Sequence, residues 1–486
     1  MRSIVRSIHD TSLKYPDKTA IIATDYTINY RYLWNGIANV CLLLKKQGVR
    51  TGDRIILEAG PTVEYMICCY GIHLCGAVHV PIEKNCPKKR IDEIASDIQP
   101  FIILNGKNPL NHLNSDLQSV IQCDESPKII EFPQESMLQE ILYTTGTTGK
   151  SKGVMITHFA QMNMCESQNA VINYSEDNVW MIPTPMNHAA GLRKVHMSMV
   201  RGSTVLLVDG FKNLNLFFSN MRKYGVTSLY LPPSAVHYIL MLASDELSKF
   251  DKQLDFLYSS SSSLPSGDKE LLIRILPSVR KFDAYGGSEV GAVAYIDYNS
   301  TNKDSRCVGK PNPGVDIFIV DDNYNKINAS KDNPGIIAIR SNTITAGYWN
   351  EPELTAHTIR NGTIYMTDLG YLDEEGYLYL VGRRDDVINI GGLKVAPTEV
   401  EDVLLRFDKI YDCACVPFCD PLIGTYLKML VVMKKGCICD SAEIISFLKK
   451  WLEYYKIPKA IEEVDTIPKT YNGKIDRKKI AQTRNA

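Results

Sequence analysis

The chain has 486 residues, with 54 lysines and arginines against 55 aspartates and glutamates. At roughly 150 residues per domain this length makes two to four domains, and an apolar share of 45% with 22% charged residues excludes a disordered, collagen-like or coiled-coil chain. So even a charge balance gives no electrostatic reason for nucleic acid or an anionic membrane to be the main partner. The opening MRSIVRSIHD holds two arginines with no apolar run behind them, so no secretory signal is read and a cytoplasmic location is expected. Residues 65–82, YMICCYGIHLCGAVHVPI, contain two histidines, two glycines and a proline. They read as a buried helix running into a strand, not as a membrane span.

Up to about residue 380, apolar runs such as DRIILEAG, AVHVPI, PFIILNG, GSTVLLVDG and VTSLYLPP alternate with amphipathic stretches. That alternation predicts crossover units on largely parallel, buried sheets. From about 310 to 382 the runs VDIFIVDD, GIIAIRS and GYLYLVGR are joined by Asp, Asn and Gly turns, which predicts a small antiparallel barrel or sheet. The charged stretch Arg383-Arg384-Asp385-Asp386 then precedes a last part read as helix (about 397–406), strands (413–418 and 427–434), helix (about 441–455) and a basic tail. The thirteen cysteines are scattered among apolar neighbours, as at Cys68, Cys69 and Cys75, which predicts reduced thiols used as small core residues. The cluster Cys413, Cys415, Cys419 has no zinc-ligand spacing.

The sharpest local signal runs from Tyr143 to Val154. Thr144, Thr145, Thr147, Thr148 and Ser151 offer hydroxyls, Gly146, Gly149 and Gly153 let the backbone approach a ligand, and Lys150 and Lys152 offer cations. Together these make a polyphosphate cradle. A Walker A loop is excluded, because that pattern needs glycine where this chain has Thr144.

This loop closely resembles the signature of the adenylate-forming superfamily: acyl- and aryl-CoA synthetases, adenylation domains and luciferases. The resemblance continues in order through Tyr285-Gly286-Gly287-Ser288-Glu289, Val308–Gly314, Gly347-Tyr-Trp, Asp368-Leu-Gly-Tyr, Gly382–Gly392 and Pro468–Arg477. It implies an α/β fold with a large N-terminal domain (1–384) of stacked, mostly parallel sheets, helices and a small β-barrel-like part. A small, mobile α+β C-terminal domain (385–486) follows. The implied chemistry is an ATP-dependent acid–thiol ligation: a carboxylate attacks the α-phosphate of ATP to give acyl-AMP and pyrophosphate, and a thiol then takes the acyl group.

By the same resemblance, Thr144 to Lys152 close over the β- and γ-phosphates, Thr144 and Glu289 help hold Mg²⁺, and Tyr285 lies along the adenine with Gly286 beside it. Ser288 bonds the α-phosphate, Asp368 accepts from the ribose hydroxyls, and Arg383 reaches the sugar or the phosphates. Lys474 is the adenylation lysine, Asp385 the hinge, and Gly391 and Gly392 belong to the thiol tunnel. His188, Gly191, Ser234, Ser259, Ser260 and Gly287 are expected around the acid pocket, with Ser259–Ser263 making its rim more polar than in many relatives. Met366-Thr367-Asp368 also departs from the usual Thr-Gly-Asp. The implied partners are a small aryl or fatty acid and CoA, or, as the alternative, the phosphopantetheine of a carrier protein in trans. A non-catalytic nucleotide-binding relative is the distant alternative. Few residues follow Lys474, so no fused carrier domain is expected.

Overall fold

Runs of Val, Ile and Leu are stiff at χ1 and pack flat, so they form strands that helices cover. The computed structural model describes residues 2–484 apart from 24–25, 107, 123–130, 145–150, 261–263, 300, 302, 305, 385, 387, 391–392, 421–423 and 471–474. The expected strands lie at Arg54–Glu58, Val78–Ile82, Ile102–Leu104, Thr204–Leu207 and Ser228–Tyr230. The stretch at 65–82 forms the helix Val63–Leu74 and the fully buried strand Val78–Ile82. Thr62 caps that helix, its hydroxyl accepting from the Tyr65 amide at 3.2 Å, a bond that satisfies one orphan donor of the first turn. Gly71 lets the helix Tyr30–Lys46 lie close, since a Cβ there would sit 2.5 Å from Val40 Cγ1.

Among the described residues the strands make two main sheets. The smaller runs Gly347–Tyr348, Lys152–Thr157, Leu138–Thr144, Val78–Ile82, Arg54–Glu58, Ile102–Leu104. The larger is parallel from Thr204–Leu207 through Val179–Ile182, Ser228–Tyr230 and Phe256–Ser260 to Arg280–Gly287. It then reverses at the hairpin Arg280–Gly287/Gly291–Asp297 and continues antiparallel into the strands beyond residue 306. The change of texture expected near 310 is therefore real, and its strands extend the same sheet.

The C-terminal residues carry their own core of Val400, Leu404, Cys413, Cys415, Met429, Ile444 and Leu448, under the antiparallel strands Ile410–Asp420 and Gly424–Met433. The helix expected over 441–455 ends at Leu448. Trp451 and Tyr454 beyond it are 60% and 85% exposed, while Leu452 and Tyr455 still pack on the C-terminal core and the chain continues as a short 3-10 turn at Tyr454–Lys456. Cys68, Cys69, Cys75, Cys413 and Cys415 are buried and form no disulfide, in keeping with core residues. Among the described residues no helix is long and apolar enough to cross a membrane. The C-terminal part meets the larger sheet through Arg306 Nη1 to Glu399 Oε1 at 3.4 Å, and through the Ser266 amide donating to Asp402 Oδ1 at 3.3 Å.

Candidate active site

The reversal of the large sheet builds the centre of the site. Its hairpin is so tight that a Cβ on Gly286 would lie 1.8 Å from the Gly291 carbonyl oxygen, so only glycine fits there. The preceding residue, Tyr285, is buried, and its hydroxyl donates to Asp368 Oδ2 at 2.9 Å. Asp368 sits on Thr363–Leu372 directly opposite Arg383. Arg383 Nε lies 3.5 Å from Asp368 Oδ1, and its guanidinium also donates to Thr367 Oγ1 at 3.3 Å. Burial, with the Asp368 carboxylate beside it, pushes the Tyr285 phenol far up, so it stays a neutral donor. Tyr285 and Arg383, from two separate motifs, thus meet around the half-buried carboxylate of a third, Asp368.

Ser288 and Glu289 follow Tyr285 in the hairpin turn and are half-buried. Glu289 Oε1 accepts from the Tyr348 hydroxyl at 3.0 Å. Tyr348 belongs to an edge strand paired with Lys152–Thr157, and Lys152 Nζ lies 5.9 Å from its ring centroid. Thr144 pairs across from Lys152 and its hydroxyl donates to the Lys152 carbonyl at 3.5 Å. Both ends of the proposed phosphate loop therefore stand on the Tyr348 side of Glu289. Thr145, Gly146, Thr147, Thr148 and Gly149 lie outside the described residues, as do Asp385, Gly391, Gly392 and Lys474.

Two cations went unread in the sequence. Arg193 is buried on the helix Ala189–Arg201; its guanidinium donates to the Gly287 carbonyl at 3.0 Å and to the Ser288 carbonyl, so it grips the turn that carries Glu289. The adjacent Lys194 is buried too. Its ammonium donates to the Tyr258 hydroxyl at 2.9 Å and to Gln168 Oε1 at 3.2 Å, and it lies 4.2 Å from the Tyr258 ring centroid. An Arg-Lys pair in the middle of a buried helix is the signal that could have found both, since such charges are kept inside only with partners.

Burial, with Arg193 beside it, pulls the Lys194 ammonium down to about 7, against the ordinary lysine value of about 10.4. Between those values the folded chain holds fewer protons than the unfolded one, so stability rises with pH there; below about 7 the full cost of the buried charge is present. Lys194→Met is expected to flatten that rise by on the order of 1 kcal/mol per pH unit, read as the difference in urea unfolding midpoints between the two proteins from pH 7 to 9. Parallel curves would overturn the reading.

A cleft of about 500 Å³ opens at the N-terminal end of the helix Ala189–Arg201. Its walls include Thr184, Met186, His188, Tyr230 and Ser234, with Thr470 from the C-terminal tail, and Lys84 and Lys212 also line it. Burial pulls the His188 imidazole down to about 4, which keeps it neutral. Of the residues expected around the pocket, His188 and Ser234 line this cleft, whereas Gly191, Ser259, Ser260 and Gly287 do not. Gly191 instead faces backbone, a Cβ there falling 2.5 Å from the Pro185 carbonyl oxygen. Ser259 is wholly buried on its strand, and the Ser260 hydroxyl meets the hydroxyl of Tyr230, itself a lining residue, at 3.1 Å. Gly287 lies against Glu289, 3.1 Å from a Cβ position to Oε2. Ser261–Ser263 lie outside the described residues.

Comparison with known proteins decides the family. The model of the AMP-binding enzyme family matches residues 8–349, and that of the AMP-binding enzyme C-terminal domain matches 399–474. The chain belongs to the AMP-binding enzyme family. It is similar to a long-chain-fatty-acid–CoA ligase of Bacillus subtilis (strain 168), 26% identical over 97% of this chain and 93% of that protein. It is also similar to a 2-succinylbenzoate–CoA ligase of Bacillus cereus (strain Q1), 25% identical over 96% of each chain. Among solved structures, ATP-bound MatB from Rhodopseudomonas palustris matches with a TM-score of 0.88 at 22% identity, covering 99% of this chain and 98% of that one. The AMP complex of O-succinylbenzoate coenzyme A synthetase from Bacillus subtilis matches with 0.85 at 22% identity, covering 98% and 97%. Those likenesses bear out the expected α/β fold, and the family match bears out the adenylate-forming resemblance and, with it, an enzyme of the AMP-forming acid–CoA ligase class.

Proposed function

We propose that this AMP-binding enzyme activates a small aryl or fatty carboxylic acid as acyl-AMP, releasing pyrophosphate, and then transfers the acyl group to the thiol of CoA. The observation that carries the reading is the place of Thr470. It lines the same cleft as His188 and Ser234, and it stands four residues before Lys474, so the C-terminal tail enters the acid pocket of the large domain. A cleft of about 500 Å³ is within the range of small-molecule sites.

The side chains present fit the nucleotide and its metal. Asp368 is a half-buried acceptor flanked by a phenol and a guanidinium, the set a ribose and a neighbouring phosphate need. Glu289 is held through a neutral hydroxyl, which leaves its charge for a hard cation such as Mg²⁺. When bound, ATP supplies an electrophilic α-phosphate and Mg²⁺ spreads the charge on its oxygens. Thr144 and Lys152 anchor the loop over the outer phosphates, Tyr285 and Gly286 form the floor under the base, and Ser288 donates to the α-phosphate. Lys474 neutralises the oxygens shared between acid and α-phosphate. Both steps build charge on oxygen, so preset cations and donors supply most of the rate.

The domains divide at 384/385 and the second half-reaction needs a turn about Asp385, bringing Gly391 and Gly392 to the thiol. Proline fixes φ, so Asp385→Pro is expected to leave pyrophosphate release with the acid intact and to abolish thioester formation; survival of both would refute the hinge. The substrate test is pyrophosphate release over aryl, short, medium and long-chain acids and amino acids, each with and without CoA. Release that CoA accelerates for one acid class is the expected result. Adenylate formation indifferent to CoA would transfer the acceptor role to a carrier-protein phosphopantetheine, and silence with every acid would leave a non-catalytic nucleotide binder.

A further inference from the structure

Four of the nine histidines, His73, His79, His158 and His196, are buried around a single carboxylate, Glu140. None of them belongs to the site described above. The arrangement follows from the fold. His79 and Glu140 are register partners on the parallel strands Val78–Ile82 and Leu138–Thr144, so both side chains leave one face of the sheet. The helix Val63–Leu74 covers that face, and Cys69 and His73, four residues apart, point down from it.

The donor atoms converge. Cys69 Sγ lies 3.6 Å from His79 Nδ1 and 3.9 Å from His73 Nε2. Glu140 Oε1 lies 3.5 Å from His73 Nε2 and 3.9 Å from His79 Nδ1. All four donors fall within 4.8 Å of one another. With zinc–nitrogen and zinc–oxygen bonds near 2.0–2.2 Å and zinc–sulfur near 2.3 Å, the edges of a tetrahedral site measure about 3.3–3.6 Å. The four pairs given above, 3.5–3.9 Å, are within a few tenths of an ångström of that, and the other two edges, bounded at 4.8 Å, shorten as the ligands close on the ion. A second layer orients one ligand: the Tyr70 hydroxyl meets His196 Nδ1 at 3.1 Å, and His196 Nε2 meets Glu140 Oε1 at 2.7 Å. A donor from His196 to a ligating carboxylate is how such sites fix their ligands. Meanwhile Glu140 Oε2, His73 Nδ1, His79 Nε2 and both ring nitrogens of His158 have no hydrogen-bond partner among the described residues, a dense group of polar atoms for an interior.

We infer that Cys69, His73, His79 and Glu140 form a closed, structural site for one zinc ion. Thiolate and carboxylate together carry two negative charges, so a divalent ion with two neutral imidazoles makes a centre of zero net charge, which the interior tolerates. A sulfur, two imidazoles and one carboxylate suit zinc better than magnesium or calcium. Binding forms four metal–ligand bonds and releases the Cys69 thiol proton to solvent. The ion joins the helix Val63–Leu74 to two neighbouring strands, one of which ends at Thr144, where the proposed phosphate loop begins. Every ligand is fully buried, so the ion enters during folding and a chelator does not strip it from the native chain.

The test is metal content of the full chain, expressed with zinc, purified through a chelating buffer and measured by elemental mass spectrometry. About one zinc per chain is expected for the natural sequence and for Glu289→Gln, and its loss in Cys69→Ala. Expression with cobalt in place of zinc is expected to give a thiolate-to-cobalt charge-transfer band that Cys69→Ala lacks. If Cys69→Ala does not fold, the natural sequence decides alone: folded protein with under roughly a tenth of an ion per chain would overturn the site. So would zinc that survives Cys69→Ala and disappears in Glu289→Gln, since that ion would belong to the nucleotide site. A different transition ion, lost with Cys69→Ala, would overturn the choice of zinc.

Discussion

Replacing Lys474 with alanine is expected to slow acid-dependent pyrophosphate release by roughly 10²–10³-fold, the usual cost of removing a key donor to a developing oxyanion. The expectation rests on the proposed function and on where its neighbours stand. Lys469 and Ile475 pair in an isolated bridge, and Lys469 Nζ holds Asp412 Oδ2 at 2.7 Å, so both flanks of Lys474 are tied to the C-terminal sheet. Thr470 meanwhile reaches the cleft. Under the proposed function Lys474 serves adenylation and not the transfer to the thiol. Thioester formation from supplied acyl-adenylate should therefore survive in Lys474→Ala. Stopped-flow or radiolabel exchange separates the two steps, and an equal loss in both would remove Lys474 from its assigned role.

The parts of this site that the sequence announces are those whose chemistry is local. The Tyr143–Val154 run gathers hydroxyls, glycines and lysines within a dozen residues, and Tyr285, Asp368 and Arg383 each stand within a short motif whose order placed them together before any contact was seen. Alternating apolar runs likewise announced the strands, because a buried strand needs nothing beyond its own side chains. What stayed hidden depends on distant partners. Arg193 acts on carbonyls 94 and 95 residues away, and Tyr348 on a carboxylate 59 residues away. The zinc ligands assemble through the strand register of His79 with Glu140, across 61 residues that no metal spacing bridges. Gly191 and Ser259 stand off the cleft for the same reason: a neighbouring carbonyl and a strand face, both set by distant parts of the chain, surround them. The overlong helix at 441–455 shows the converse: its apolar residues continue past Leu448 and Leu452 and Tyr455 still pack on the core, but the backbone leaves the α-helix at Leu448, a boundary that the apolar pattern alone does not mark.

Arg193→Met is expected to lower acid-dependent ATP–pyrophosphate exchange by about 10²-fold, with a rise in the Mg²⁺ needed for half-maximal rate. The buried guanidinium makes two bonds to the carbonyls of Gly287 and Ser288, and a hydrogen bond to a charged group contributes about 1.5–3 kcal/mol. At about 1.4 kcal/mol per tenfold in rate, loss of even one such bond's positioning effect on Ser288 and Glu289 reaches that range. Methionine keeps the apolar bulk but leaves both carbonyls without their donor, so the turn relaxes at Ser288 and Glu289, which the proposed function sets against the α-phosphate and metal. Arg193→Lys should recover only part of the rate, because an ammonium lacks the planar fork that spans two acceptors. A general loss of fold would lower the exchange rate without moving the Mg²⁺ midpoint of the surviving fraction, so the midpoint separates the two explanations. A folded Arg193→Met protein with unchanged rate and unchanged Mg²⁺ dependence would show that the turn does not need its grip, and would take Ser288 and Glu289 out of the reacting centre with it.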